Sequence, residues 1–317
     1  MAKVKIFPNC YNAAVYTNRG DAKIEMGDIS GAISDYTNAI KIDPDYARAY
    51  TNRGDAKFEM GDISGAIADY TKAIEIDPNN ARAYYNRGLA KDEIGNNFGA
   101  IADYTNAIKI DPYNSIAYYN RGNVKDKIGG TSSAIADYTK AIEIDPNDAD
   151  AYTNRGLAKI DMGDTSGAIA DYTKAIKIDP NDAIAYYNRG VAKLEMDDTS
   201  GGIADYTKAI KIDPNNAATY YNRGNAKFEM GDTSGAIADY TKAIEIDPSN
   251  TGAYTNRGFA KDEMGDTSGA IADYTKAIEI DPDNAIAYRN RGIAKDDMGD
   301  TSGAIADYTN AIKIDPS

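Results

Sequence analysis

The sequence predicts an all-α fold, a single solenoid of stacked helix pairs, and three observations carry that expectation. Asp-Pro recurs every 34 residues, with its proline at Pro44, Pro78 and so on to Pro316. Asn-Arg-Gly recurs on the same spacing, ending at Gly20, Gly54 and so on to Gly292. Both series hold register through nine copies, starting at residues 13, 47, 81, 115, 149, 183, 217, 251 and 285, with no insertion or deletion. A fixed period of this size marks stacked units that bury their apolar faces against one another. Length alone, at 317 residues, suggests about two domains. The period replaces that count with one solenoid over 13–317, leaving 1–12 as the remnant of a preceding helix or an N-terminal extension.

Within the copy Ala47 to Asn80, the stretch Ala47 to Met60 has no proline and reads as a helix of about four turns. Gly61 follows where a left-handed cap is wanted. Asp62 and Ser64 offer oxygens to cap the next helix. Ala66 to Ile76 reads as that second helix, with Ala66, Ile67, Tyr70, Ala73 and Ile74 on one face. Asp77-Pro78 stops it, because a residue before proline is pushed out of helical geometry. Copy six departs twice: Asp197 stands at the turn glycine and Gly202 at a helix alanine. Each change costs about 1 kcal/mol, so the region around Met196 to Gly202 is expected to be the weakest.

The spaced residues Tyr50, Gly54, Ala66, Tyr70 and Pro78 resemble the pattern of the tetratricopeptide repeat family, and the resemblance runs from Ala13 to Ser317. It implies a right-handed α-α superhelix with the first helix of each pair on its concave face. Two columns depart from the family. Arg53 and Lys57, with their eight equivalents each, stand where the family usually has Leu and Tyr. They share an arc with Ala49, Tyr50 and Ala56, facing partner helices. Unpaired charges there would be too costly to keep. The second helix offers two all-acidic columns, Asp69 and Asp77, so an internal ion-pair ladder drawing on both is expected.

The opposite arc of the first helix is the expected binding surface. Asparagine fills one of its columns throughout: Asn18, Asn52, Asn86, Asn120, Asn154, Asn188, Asn222, Asn256 and Asn290. It is a mediocre helix former, and its amide matches both hydrogen-bonding groups of a peptide unit. The family includes superhelices with such a ladder, so the resemblance implies that it holds an extended backbone. A helix-linking role is the plainer alternative. The same arc carries four basic residues, Arg48, Arg82, Lys127 and Arg289, against fifteen acidic ones, Glu195 and Glu229 among them. Such a face favours a cationic partner and speeds its association. Copies five and six add apolar residues, Leu157, Ile160, Ile184, Tyr187, Val191 and Leu194. Buried apolar anchors usually dominate an interface, so a pocket is expected there.

Composition excludes much else. The chain has no histidine, no tryptophan and one cysteine, Cys10, so it cannot build a Ser-His-Asp triad, an imidazole metal site or an internal disulfide. No cofactor is expected. The net charge of −14 argues against nucleic-acid backbones. No apolar run approaches the ~20 residues that span a bilayer, and the apolar part of Met1 to Pro8 is too short to read as a secretory signal. A cytoplasmic location is the resulting expectation. Asp145 to Asp150 looks only faintly like a calcium loop, lacking its glycine and final glutamate.

The reading is a non-catalytic scaffold binding an extended basic or amphipathic peptide. Two alternatives stay open. Ends that read as uncapped could stack head to tail into an assembly, or the chain could be the recognition arm of a larger enzyme.

Overall fold

The computed structural model describes residues 8–316, which are helical throughout apart from short turns, with no strand among them. Two compact units follow one another, Met1–Met162 and Gly163–Ser317. In the first, α1 (Pro8–Glu25) pairs with α2 (Ile29–Ile42), α3 (Ala47–Glu59) with α4 (Ile63–Ile76), α5 (Ala81–Glu93) with α6 (Asn97–Ile110) and α7 (Ser115–Lys127) with α8 (Thr131–Ile144). The last helix of this unit, α9 (Ala149–Asp161), packs on α8. The second unit opens with α10 (Thr165–Ile178), which packs on α11 (Ala183–Glu195). There α11 pairs with α12 (Thr199–Ile212), α13 (Ala217–Glu229) with α14 (Thr233–Ile246), α15 (Thr251–Glu263) with α16 (Thr267–Ile280) and α17 (Ala285–Asp297) with α18 (Thr301–Ile314). Within each unit every second helix also packs on the first helix of the next copy. The separate segment expected at 1–12 lies outside the described residues up to position 7, and positions 8–12 belong to α1.

The core is narrow and repetitive. Copies one to eight each bury small residues, mostly alanines, from both helices around one large tyrosine, as Tyr70 sits between Ala66 and Ala90, with Phe58 and Ile67 at its edge; Tyr308 of copy nine is half-buried. Burial pushes the hydroxyl pKa of Tyr70 and Tyr240 up, with nearby carboxylates adding to the effect. Those hydroxyls therefore stay protonated and donate: Tyr70 to Asp55 Oδ1 at 2.8 Å and Tyr240 to Asn225 Oδ1 at 2.9 Å. In copy three Leu89 occupies the acceptor's place, and the buried Tyr104 hydroxyl has no partner. Tyr104→Phe is therefore expected to leave stability unchanged or raise it. Tyr138→Phe, which removes a bond to Asn123 Oδ1, is expected to cost about 1 kcal/mol. Thermal melts of the two variants check the contrast; equal losses would contradict it.

The turns follow the sequence reading. Gly61 has φ +81, and Asp62 caps α4 by accepting from the Gly65 amide at 2.9 Å. At the same turn in copy six Asp197 holds φ +61, a left-handed conformation rare for a residue with a side chain. The substitution changed the residue and kept the turn. Gly202 is different from what its helix propensity alone suggests. A Cβ built there would lie 3.0 Å from Leu194 Cγ and 3.1 Å from the Gly190 carbonyl oxygen. The glycine makes room for Leu194, so alanine at this position would trade better propensity for a clash.

The two charged columns form a ladder, but not the expected one. In copies one to four and six to nine, the Arg and Lys share a single buried aspartate. Arg53 donates through Nε and Nη2 to Asp69 at 2.8 and 2.6 Å, and Lys57 Nζ sits 2.7 Å from Asp69 Oδ2. The second acidic column takes no part in these triads. Asp77 caps the chain reversal instead, accepting from the Asn79 amide at 3.1 Å. A carboxylate at the end of the second helix is simply too far along to reach the triad. Each triad thus carries one surplus positive charge, and the rest of the molecule is more acidic than the net charge suggests.

The arginine does more than pair. Its remaining Nη1 donates to a threonine of the preceding copy, Arg53 to Thr37 at 3.1 Å and Arg223 to Thr207 at 3.0 Å. Its guanidinium also lies over the tyrosine three residues earlier, 5.6 Å from the Tyr50 ring centre. A planar fork suits four such contacts, which a leucine or a lysine could not make. At the chain's first copy Asp35 is held below the usual carboxylate range, chiefly by its hydrogen bond from Arg19. At the last copy burial works to raise Asp307, and the bonds from Arg291 and Lys295 outweigh it.

Candidate peptide-binding face

The arc opposite the triads presents side chains from successive first helices, and contacts between copies run on fixed diagonals. The asparagine column shows the rule. Asn52 Nδ2 donates to Asp21 Oδ1 at 2.7 Å, and Asn86 Nδ2 to Asp55 Oδ1 at 2.6 Å, each 31 residues back. Asn120 donates to the Tyr85 hydroxyl at 2.9 Å and Asn222 to the Tyr187 hydroxyl at 2.9 Å, each 35 back. Asn154 and Asn256 do both. The amide donors therefore tie first helix to first helix. For Asn18, Asn188 and Asn290 the structure gives the position on this arc and no such bond.

The acidic character is unevenly distributed. Asp21 accepts from Tyr36, Arg48 and Asn52 at 2.9, 2.7 and 2.7 Å, and Asp55 accepts from Tyr70, Arg82 and Asn86. These two carboxylates are compensated on the spot by their arginines, in a shallow cleft also lined by Glu25 and Glu59. In the second unit Glu229 and Glu263 are exposed, and neither has an ion-pair partner among the described residues. Glu195 is exposed as well, and its carboxylate accepts from the Thr165 hydroxyl at 3.4 Å.

The apolar residues of copies five and six fall into separate units. Leu157 and Ile160 lie on α9, the former exposed and the latter half-buried. Ile184, Tyr187, Val191 and Leu194 lie on α11, where Ile184 and Tyr187 line a small pocket with Asp213 and Thr219. Leu194 is committed to Gly202.

A better-formed site was not singled out by the columns. Phe228 on α13 and Phe259 on α15 meet edge to face, with ring centres 5.6 Å apart. They line a pocket with Asn225, Glu229, Tyr240 and Asn256. Its floor is fixed: Phe228 packs on Ala236, Tyr240 and Ala260, and Asn225 Oδ1 receives both the Tyr240 hydroxyl and Asn256 Nδ2. Phe259 remains 42% exposed, so a partner that covers it gains by removing apolar surface from water. Phe259 and Glu263 share a helix face four residues apart, so an apolar slot opens beside uncompensated carboxylates. The signal was present in the sequence as the 31-residue diagonal, which a column-by-column reading passes over.

A stacked array of helix pairs with a Gly-Tyr crossing in each copy and a proline closing it defines a helical repeat protein. A TPR repeat model matches residues 20–61, 54–95, 127–163, 156–197, 199–231 and 262–295, and tetratricopeptide repeat models match 217–250, 81–114 and 285–317. The chain belongs to the tetratricopeptide repeat family, whose members are protein-interaction scaffolds that bind protein or peptide partners. Among solved structures, MamA is 30% identical with a TM-score of 0.51, over 54% of this chain and 93% of that one. YrrB, described as a TPR protein with an unusual peptide-binding site, is 25% identical with a TM-score of 0.54, over 59% and 97%. The C-terminal part of a TPR repeat-containing protein from Cytophaga hutchinsonii shares the fold, at 22% identity and a TM-score of 0.65 over 75% and 97%. A search of curated proteins gives no match. No helix of the described residues is long and apolar enough to cross a membrane.

Proposed function

We propose that the chain is a non-catalytic scaffold that binds an extended segment of a partner protein, one in which a large apolar side chain stands beside Lys or Arg. The observation that carries this reading is the Phe228–Phe259 slot, lined by Glu229 and with Glu263 one turn beyond Phe259 on α15. The apolar side chain covers Phe259, and the neighbouring cations meet carboxylates that nothing else neutralises. The asparagine column contributes carbonyl oxygens to backbone N–H groups of the segment, the amide donors of Asn222 and Asn256 beside the slot being already engaged between copies. The peptide-binding site reported for YrrB is in keeping with this use of the fold.

The test is a calorimetric titration with a short peptide holding one phenylalanine between lysines and arginines. Replacing Phe228 and Phe259 together with Ala is expected to weaken binding at least tenfold, about 1.4 kcal/mol. Raising salt is expected to weaken the wild type further, since exposed charges are screened. Equal affinity for this peptide and its Asp/Glu counterpart would contradict the reading.

A further inference from the structure

The residues that build the slot of the second unit recur in the first, with Leu89 in the place of Phe259 and Asp55 in that of Asn225. Ala226-Lys-Phe-Glu229 is followed by Phe259-Ala-Lys-Asp-Glu263, and Ala56-Lys-Phe-Glu59 is followed by Leu89-Ala-Lys-Asp-Glu93. The two arrangements are 170 residues, or five copies, apart, and each lies wholly within one unit. In the phenylalanine column the other copies carry Ile24, Ile160 and Leu194, or the aspartates Asp92, Asp126, Asp262 and Asp296. Each apolar run, which ends in a phenylalanine, is thus followed along the chain by two aspartates.

The supports match as well. Phe58 packs on Ala66, Tyr70 and Ala90, as Phe228 does on Ala236, Tyr240 and Ala260. Asp55 Oδ1 receives Tyr70 and Asn86, as Asn225 Oδ1 receives Tyr240 and Asn256. Glu59 and Glu93 are exposed, as are Glu229 and Glu263. Neighbouring positions on the same helices have changed freely, Thr51 against Tyr221 and Tyr85 against Thr255. A wholesale copy would have kept those too. Two differences mark the first slot: Arg82 pairs with Asp55 beside it where the second has the uncharged Gly252 and Asn225, which leaves the local charge equal, and half-buried Leu89 stands where the second exposes Phe259.

We infer that the chain is bivalent, with one slot per unit for the same kind of apolar-basic segment, and that Leu89 in place of Phe259 makes the first slot the weaker. The inference rests on the proposed function. A partner presenting two such segments, in one chain or in a dimer, would engage both, gaining avidity without any new contact.

Titrating the single-phenylalanine peptide measures stoichiometry. Two peptides per chain are expected, with unequal affinity. Phe228→Ala with Phe259→Ala leaves only the weaker site, whereas Glu59→Lys with Glu93→Lys, both at exposed positions, leaves only the tighter one. Leu89→Phe brings the weaker site to within about threefold of the other. One peptide per chain in the Leu89→Phe variant, or two remaining after Glu59→Lys with Glu93→Lys, overturns the bivalent inference and leaves the proposed function standing. Absence of any binding at low salt overturns both.

Discussion

Replacing Asp239 with Ala is expected to destabilise the second unit by about 3 kcal/mol, among the largest effects any single side chain here can have. Asp239 is 4% exposed and holds Arg223 Nη2 at 2.6 Å and Lys227 Nζ at 2.8 Å. Removing it leaves two half-buried cations facing each other across a short gap. The guanidinium also loses the anchor that aligns it with Thr207 and over the Tyr220 ring. The damage therefore extends into the preceding copy. Because a repeat array unfolds in nearest-neighbour steps, hydrogen exchange reads the effect better than a single melting point. Protection is expected to fall in α12, α13 and α14 together. A loss confined to α13 and α14 would mean that the arginine does not couple copies.

The second large effect is steric. Gly224 lies where α13 crosses α14, and a Cβ built there would sit 2.7 Å from Tyr240 Cε1. The tyrosine has no room to retreat, being packed among Ala236 and Ala260. Gly224→Val adds three carbons at this point and is expected to cost about 3 kcal/mol or more. Gly231, at φ +83 with open space around it, loses less with Asn, which tolerates the left-handed region. Denaturant unfolding of the two variants ranks them. A Val variant as stable as the wild type would show that the crossing can open, contrary to the packing described.

Much of this was legible in the sequence, for a physical reason. A 34-residue period forces every copy to solve the same packing problem, so the Gly-Tyr crossing and the Pro stop each appear nine times and the Asp cap seven, with Asn96 and Gly130 in its place in copies three and four. Helix boundaries followed from those punctuators. The triad was legible only by halves: Arg53 and Lys57 plainly needed an acid, but spacing alone did not show that one carboxylate would serve both. Asp77 was drawn in because charge counting treats all acids alike, whereas hydrogen bonding gives it to the turn. The slot was hidden for a related reason. Columns repeat at 34 residues, but side chains on neighbouring helices meet 27, 31 or 35 residues apart, as Arg48–Asp21, Phe228–Phe259 and Asn120–Tyr85 do. Neither phenylalanine is unusual within its own column.

The same geometry explains why the acidity of the first-helix face overstates its pull on a cation near the N-terminus. Asp21 and Asp55 count as free charge in a composition, yet each is already matched by an arginine from the next copy. The field that a basic segment meets comes instead from the exposed glutamates that follow the phenylalanines.

The central claim is that a partner's apolar side chain enters the slot between Phe228 and Phe259. A peptide whose phenylalanine is replaced by a photoreactive analogue tests it most directly, with the crosslinked residues mapped by mass spectrometry. In the Glu59→Lys, Glu93→Lys variant, which isolates the tighter site, crosslinks are predicted on α13 and α15 at Phe228, Glu229 and Phe259. Crosslinks confined to α14 and α16, with none on α13 or α15, would place the partner on the opposite face and contradict the account.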